Sequence, residues 1–268
     1  MNLEPEPRTD KDARETPHII PAVHRFFAPA LDPGDETVAL PRDEAEHLTR
    51  VLRIGIGETV SVFDGRGHEY LARVLSAKRR DVHVQLLSRV DPVAESPVRL
   101  TLAQAVLKGD KMDDVVRDAV MLGVSSIQPI VSRRTEATVG ALLRGARPDR
   151  WRRVALSSVK QSHRAVLPDI RTPLTLENYL EDPPAALRLM LVEPAAHAAV
   201  EPLGTLRRAP IPQDAALLVG PEGGWDGAEC SLAQTRGLRL MSLGPRTLRA
   251  DAAPLAALTI LDFLWNHG

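Results

Sequence analysis

From Arg99 to Trp265, short strand-like apolar runs alternate with stretches whose apolar residues recur at helical spacing, and few folds accept that pattern. Arg99–Leu107 reads as a strand. Met112, Val115, Val116, Ala119 and Val120 then share one helical face after Asp110, an expected N-cap, until Gly123 stops the helix. Ser126–Val131 is the next strand, and a helix over Asp149–Ser162 points Trp151, Val154, Ala155 and Val159 inward. Strand-like Leu187–Val192 and Ala215–Val219 follow. After them come a helix opened by Asp226 with Glu229 in capping-box position, strand-like Leu238–Leu243 and a last helix, Asp251–Trp265. The spacing predicts an α/β domain over residues 97–268 around a mainly parallel sheet.

The preceding residues have a different texture. Glu58–Phe63 and His68–Leu75 flank Asp64-Gly65, and Val82, Val84 and Leu86 alternate along Asp81–Leu87, so residues 21–93 read as a small antiparallel β-unit, a compact barrel. A helix-like insert, Arg42–Arg53, interrupts it, and Pro92–Pro97 link it onward. Residues 1–20 carry Pro5, Pro7, Pro17 and mixed charges with little that is apolar, the composition of a flexible tail.

Charge separates the regions further. Residues 1–96 hold 13 basic and 17 acidic groups, residues 97–175 hold 14 and 7, and residues 176–268 hold 7 and 11, giving balances of −4, +7 and −4. The basic island includes Arg133, Arg134, Arg144, Arg147, Arg150, Arg152, Arg153, Lys160, Arg164 and Arg171. Such a density suits a polyanion such as RNA, or a merely solvated helix face. Apolar stretches such as Ala215–Val219 and Leu255–Leu261 fall far short of the ~20 residues of a membrane span, and Met1–Arg14 has no apolar h-region. A cytoplasmic protein is expected. The lone Cys230 has no pairing partner, and the 8 histidines show no ligand spacing, so no metal is expected.

Two loops lie where a strand ends and a helix begins, the position at which open α/β sheets bind ligands: Gly220-Pro221-Glu222-Gly223-Gly224, and Leu243 through Arg249. Glycines let backbone amides approach a ligand, and the helix start beyond offers unpaired N–H groups. Neither loop is a dinucleotide or P-loop fingerprint.

Taken in order, several motifs resemble one family: His24-Arg25-Phe26-Phe27, His47-Leu48-x-x-Val51-Leu52-Arg53, Lys108-Gly109-Asp110-Lys111-Met112, Gln161-Ser162-x-Arg164, Gly220 to Gly224, and Leu243-Gly244-x-x-x-Leu248-Arg249. Over roughly residues 24 to 266 the chain resembles the RsmE-type 16S ribosomal RNA (uracil-N3) methyltransferases of the SPOUT superfamily. That resemblance implies a PUA-like RNA-binding barrel followed by a SPOUT domain, in which a knotted α/β sheet holds S-adenosylmethionine. It also implies a homodimer acting on 16S ribosomal RNA or the small ribosomal subunit. By position, the cofactor pocket comprises Val192, Glu193, Leu218, Val219, Gly220, Pro221, Glu222, Gly223, Gly224, Leu243, Gly244, Leu248 and Arg249. Glu222 either accepts from a ribose hydroxyl or caps the helix near Asp226. Arg249, Asp251 and Gln161 are the expected catalytic residues, with Arg164 and His163 as further candidates; a carboxylate suits removal of the N3 proton and an arginine the charge growing on uracil oxygens. RNA contact is expected at Arg25, Arg53, Lys108, Arg152, Arg153 and Arg164.

The chain departs from the family in two places. The usual Leu-Arg-Thr-Glu-Thr-Ala reads Leu248-Arg249-Ala250-Asp251-Ala252-Ala253 here, and Met121 stands where Glu is common. Asp251 as a simple helix-start residue, a SPOUT enzyme of another RNA target, and a non-catalytic RNA-binding or ribosome-assembly protein all remain open. Trp151 and Trp265 read as core or interface residues rather than stacking platforms.

Overall fold

The computed structural model describes residues 23–181, 185–194 and 200–266; the expected tail, 1–20, lies outside them. The first unit contains β1 (Arg25–Phe27), β2 (Thr37–Ala39), α1 (Arg42–Glu46), a π-helical turn over His47–Leu52, β3 (Thr59–Phe63), β4 (Glu69–Lys78) and β5 (Asp81–Val90). Its five strands run in the order β1-β3-β4-β5-β2. All pairs are antiparallel except β1 with β3, so the expected antiparallel unit carries one parallel edge. Period-two alternation builds its core: Val60 and Val62 on β3 and Val82 and Val84 on β5 point inward, where Leu48 of the π-helical turn covers them.

The second unit comprises β6 (Arg99–Ala105), α2 (Lys111–Met121), β7 (Ser126–Val131), α3 (Val139–Arg144), α4 (Arg147–Ser162), β8 (Asp169–Ile170), β9 (Leu174–Thr175), α5 (Leu176–Glu181), β10 (Leu187–Leu191), β11 (Glu201–Pro202), a 3-10 turn over Leu203–Arg208, β12 (Asp214–Val219), α6 (Gly227–Thr235), β13 (Arg239–Ser242) and α7 (Ala252–Asn266). Every ladder in it is parallel, in the order β11-β13-β10-β12-β6-β7-β8, with β9 also on β7. The short helices α3 and α5 add to the sequence expectation.

Parallel strands covered on both faces read as unbroken apolar runs, and the alternation shows where each side chain goes. Leu102, Leu189, Leu217 and Val219 face the layer of α2, α4 and α7, whose Val116, Trp151, Ala155 and Leu261 complete that core. Ala103, Met190 and Leu218 face α5 and α6, packing on Leu176, Leu180, Cys230 and Ala233. Burial of each such leucine stabilises the fold by roughly 1.5–3 kcal/mol. Pro129 sits inside β7 without a ladder donor, and the outer edge is interrupted beside it, between β8 and β9. There the Gln128 side-chain amide donates to the Thr172 carbonyl at 2.8 Å and fills the gap.

Strand order also positions the site. From β10 the chain passes beyond β13 to reach β11, while from β13 it returns inward so that α7 packs on α2.

Candidate active site

A cavity of about 370 Å³ opens over the C-terminal ends of β10, β12 and β13. One wall is the loop after β12. Gly220 lies against the indole of Trp225, so that a Cβ there would sit 3.2 Å from the ring. The indole N–H donates to the Leu191 carbonyl at 2.9 Å and ties the loop to β10. Gly224 has φ +68° and closes a turn through its N–H to the Pro221 carbonyl at 2.9 Å. Glu222 accepts from the Lys108 backbone N–H at 3.1 Å and from Lys111 Nζ at 3.3 Å. Burial alone would raise its pKa. The backbone N–H groups of Glu222 and Lys108 and the Lys111 ammonium outweigh that and hold it below the usual carboxylate value.

Two arginines from the end of β7 brace the same loop. Arg134 Nη1 donates to the Gly223 carbonyl at 2.5 Å, and the Arg133 backbone N–H donates to Glu229 at 2.9 Å. Glu229 and Asp226 form the expected capping box at the start of α6.

The facing wall, from Leu243 to Asp251, is less tied. Arg246, Thr247, Leu248 and Arg249 are exposed. Arg249 forks onto Asp251, Nε to Oδ1 at 3.1 Å and Nη2 to Oδ2 at 2.9 Å, with side-chain exposures of 74% and 26%. The pair stands at the rim of the cavity, and the Arg249 carbonyl accepts the first amides of α7.

Of the expected cofactor residues, Val192, Glu193, Gly220, Pro221, Glu222, Gly224, Leu243, Leu248 and Arg249 line the cavity together with Asp251. Leu218 and Val219 do not, because their side chains are spent in the two cores. Gly223 turns toward Arg134, whose Cδ would lie 3.2 Å from a Cβ at that position, and Gly244 forms a turn at φ +118° outside the lining. Gln161, in the last turn of α4, is not among the lining residues either. Glu222 does not cap α6: its Oε1 is bound at the start of α2, and the residue lines the cavity.

Sequence reasoning missed Lys111, Arg134, Trp225 and Cys230 as lining residues. The paired arginines directly after a strand end and the tryptophan after Gly223-Gly224 were the available signals. Burial raises the Cys230 thiol pKa, so it lines the cavity as an unreactive neutral group. Among the described residues, no group of three His, Cys, Asp or Glu could hold a metal ion.

The residues expected to meet RNA divide into two sets. Arg53, Lys108, Arg152 and Arg153 are exposed, Lys108 paired with Glu136 and Arg152 with Asp149. The expectation gives way at Arg25 and Arg164, whose guanidinium groups are buried and bonded inside the protein. His163 ends α4 in a left-handed conformation, φ 61°, and is exposed.

A family model described as an RNA methyltransferase domain matches residues 94–262, and one described as an RNA methyltransferase PUA domain matches residues 40–87. Ribosomal RNA small subunit methyltransferase E of Synechocystis sp. is 34% identical over 235 residues, covering 86% of this chain and 74% of that protein. A solved Ribosomal RNA small subunit methyltransferase E from Neisseria gonorrhoeae, bound to S-adenosyl methionine, superposes with a TM-score of 0.80 at 31% identity, covering 91% of this chain and 98% of that one. The methyltransferase Lpg2936 from Legionella pneumophila, in complex with SAM, gives 0.81 at 29% identity over 90% and 97%. The parallel sheet, the small β-unit before it and the extent of these matches agree, and the chain belongs to the RNA methyltransferase family of Ribosomal RNA small subunit methyltransferase E.

Proposed function

We propose that this chain methylates N3 of a uridine in 16S ribosomal RNA, taking the methyl group from S-adenosylmethionine. The observation that carries the reading is the cavity between two strand-end loops with an arginine–carboxylate pair at its rim. The cavity fits the cofactor: its volume lies in the range of small-molecule sites, and it combines dry walls with a few polar groups. Leu191, Val192, Leu243, Leu248 and Trp225 would enclose the adenine, while loop amides and Glu193, which has no ion pair among the described residues, would receive its polar edges. The cofactor supplies an electrophilic methyl group on a sulfonium.

The protein must remove the N3 proton and stabilise charge on the uracil oxygens. At rest, the Asp251 carboxylate is occupied by the Arg249 guanidinium. Uracil oxygens compete for the Arg249 fork. When they take it, Asp251 is released as a base beside the N–H, so one exchange of partners supplies both functions.

Exposed Arg53 on the barrel and Arg152 and Arg153 on α4 are the proposed phosphate contacts, and the cytoplasm is the proposed location of the enzyme and its RNA. Leu255 and Phe263, 41% and 58% exposed on the outer face of α7, are the proposed contact with a second copy. Incubation of unmodified 16S RNA or small subunits with the protein and S-adenosylmethionine, followed by mass analysis of the nucleosides, should yield 3-methyluridine. A different methylated nucleoside, or none, would refute the reading.

A further inference from the structure

We infer that Arg25, rather than touching RNA, fixes the orientation of the barrel on the methyltransferase domain, and through it the spacing of the two basic surfaces that receive RNA. A guanidinium has five N–H donors, and every one of Arg25's is used. Nε and Nη2 hold Glu69 at 2.9 and 2.7 Å within the barrel. Both Nη1 donors reach across to α4, to the carbonyls of Val159 at 3.0 Å and Lys160 at 2.9 Å, and the remaining Nη2 donor meets the Arg164 carbonyl at 2.8 Å. The side chain is 6% exposed and Cζ lies 4.8 Å from the Phe63 ring centre, so no donor remains for a phosphate.

The acceptors explain why a cation from another unit belongs there. Carbonyls in the last turn of a helix have no partner within it, and the helix dipole gathers negative charge at that end. Arg25 satisfies them from the barrel, and Glu69 balances its charge while accepting the Ser61 hydroxyl at 2.5 Å. Arg164 continues the network on the other side: its guanidinium holds Glu95 of the linker and the carbonyls of Val120 in the last turn of α2 and Val124 just beyond it. The Gln161-Ser162-x-Arg164 motif thereby gains a physical role for its arginine, as the joint of barrel, linker, α2 and α4.

Neighbouring contacts make the joint stiff. Gly67 N–H donates to the Ala165 carbonyl at 3.1 Å and Leu167 N–H to the Gly65 carbonyl at 2.9 Å. Gly65 has φ +78°, and a Cβ there would lie 3.2 Å from the Leu167 side chain of the other unit, so the two surfaces are in close contact. Lys160 also pairs with the buried Glu44 of α1. Since α4 carries Arg152 and Arg153 on its exposed face and receives the barrel at its other end, one helix sets the distance from these arginines to Arg53. Arg25 is thus a positioning residue. The part concerning RNA rests on the proposed methyltransferase reading; the clamp itself does not.

Arg25→Lys keeps the charge but offers three donors from one atom and cannot span the five acceptors. The double variant Arg25→Met with Glu69→Gln removes both buried charges, leaving no carboxylate stranded should the lysine variant fold poorly. Hydrogen exchange without RNA is measured at the Gly67 and Leu167 amides, and cofactor affinity and RNA kinetics are measured alongside. We expect exchange at those two amides to accelerate about tenfold or more in both variants, with barrel-core amides and cofactor affinity unchanged. KM for RNA should rise about tenfold, while the rate at saturating RNA stays within about twofold. Parent-like exchange with a raised KM would mean direct RNA contact and overturn the inference. So would parent-like values throughout, or accelerated exchange of the whole barrel core in both variants. A parent protein that methylates no uridine would sink the proposed reaction, but the exchange experiment needs no RNA and still decides the clamp.

Discussion

The two walls of the cavity are built differently. The wall from Gly220 to Trp225 is tied to three other parts of the chain: β10 through Trp225, the start of α2 through Glu222, and the end of β7 through Arg134. The wall from Leu243 to Asp251 carries five consecutive exposed residues, Pro245 to Arg249, and its side-chain bonds among the described residues are those between Arg249 and Asp251. A braced wall beside a loosely held one is the arrangement of a site with one preformed surface and one that settles on its ligand. The proposed chemistry belongs to the looser side, where Arg249 would exchange partners.

Asp251→Asn attacks that side and carries the largest expected effect. Single-turnover methyl transfer at saturating cofactor should fall by roughly two orders of magnitude or more, with partial recovery at higher pH as uridine loses its proton unaided. Stability should move by less than about 1 kcal/mol, since an exposed ion pair contributes little. Arg134→Ala attacks the braced side. Without the bond to the Gly223 carbonyl, cofactor affinity measured by calorimetry should weaken about three- to tenfold, with the transfer rate at saturation little changed. The smallest effect is expected from Glu222→Gln. The folded pKa of Glu222 is depressed, so its contribution is present above the unfolded value of about 4.3 and is lost as pH falls through the lower folded value. The stability difference between parent and variant should therefore be under about 1 kcal/mol near neutrality, after solvent screening, and vanish in acid.

The fold was largely legible because it follows from local rules. Parallel strands between two helical layers wrote Leu187–Val192 and Ala215–Val219 as apolar runs, and Asp226 with Glu229 marked a helix start that the structure shows as a complete capping box. The helices α3 and α5, six residues each, are too short to show a period. The placement of β10 between β12 and β13 is a long-range pairing that no window of sequence contains. Both cavity loops were legible as strand-end turns, but Lys111 and Arg134 reach the site from other elements. Arg25 and Arg164 were misread for a related reason: a basic residue in a basic island looks available for phosphate until its donors are counted against buried carboxylates and carbonyls.

The most direct test of the site compares hydrogen exchange along the chain with and without S-adenosylmethionine. Protection should be strongest over Leu243–Asp251, weaker over the already braced Gly220–Trp225, and absent from β1 to β5. Cofactor binding that protects the barrel, or that leaves both loops exchanging as before, would contradict the assignment of this cavity as the methyl-donor site.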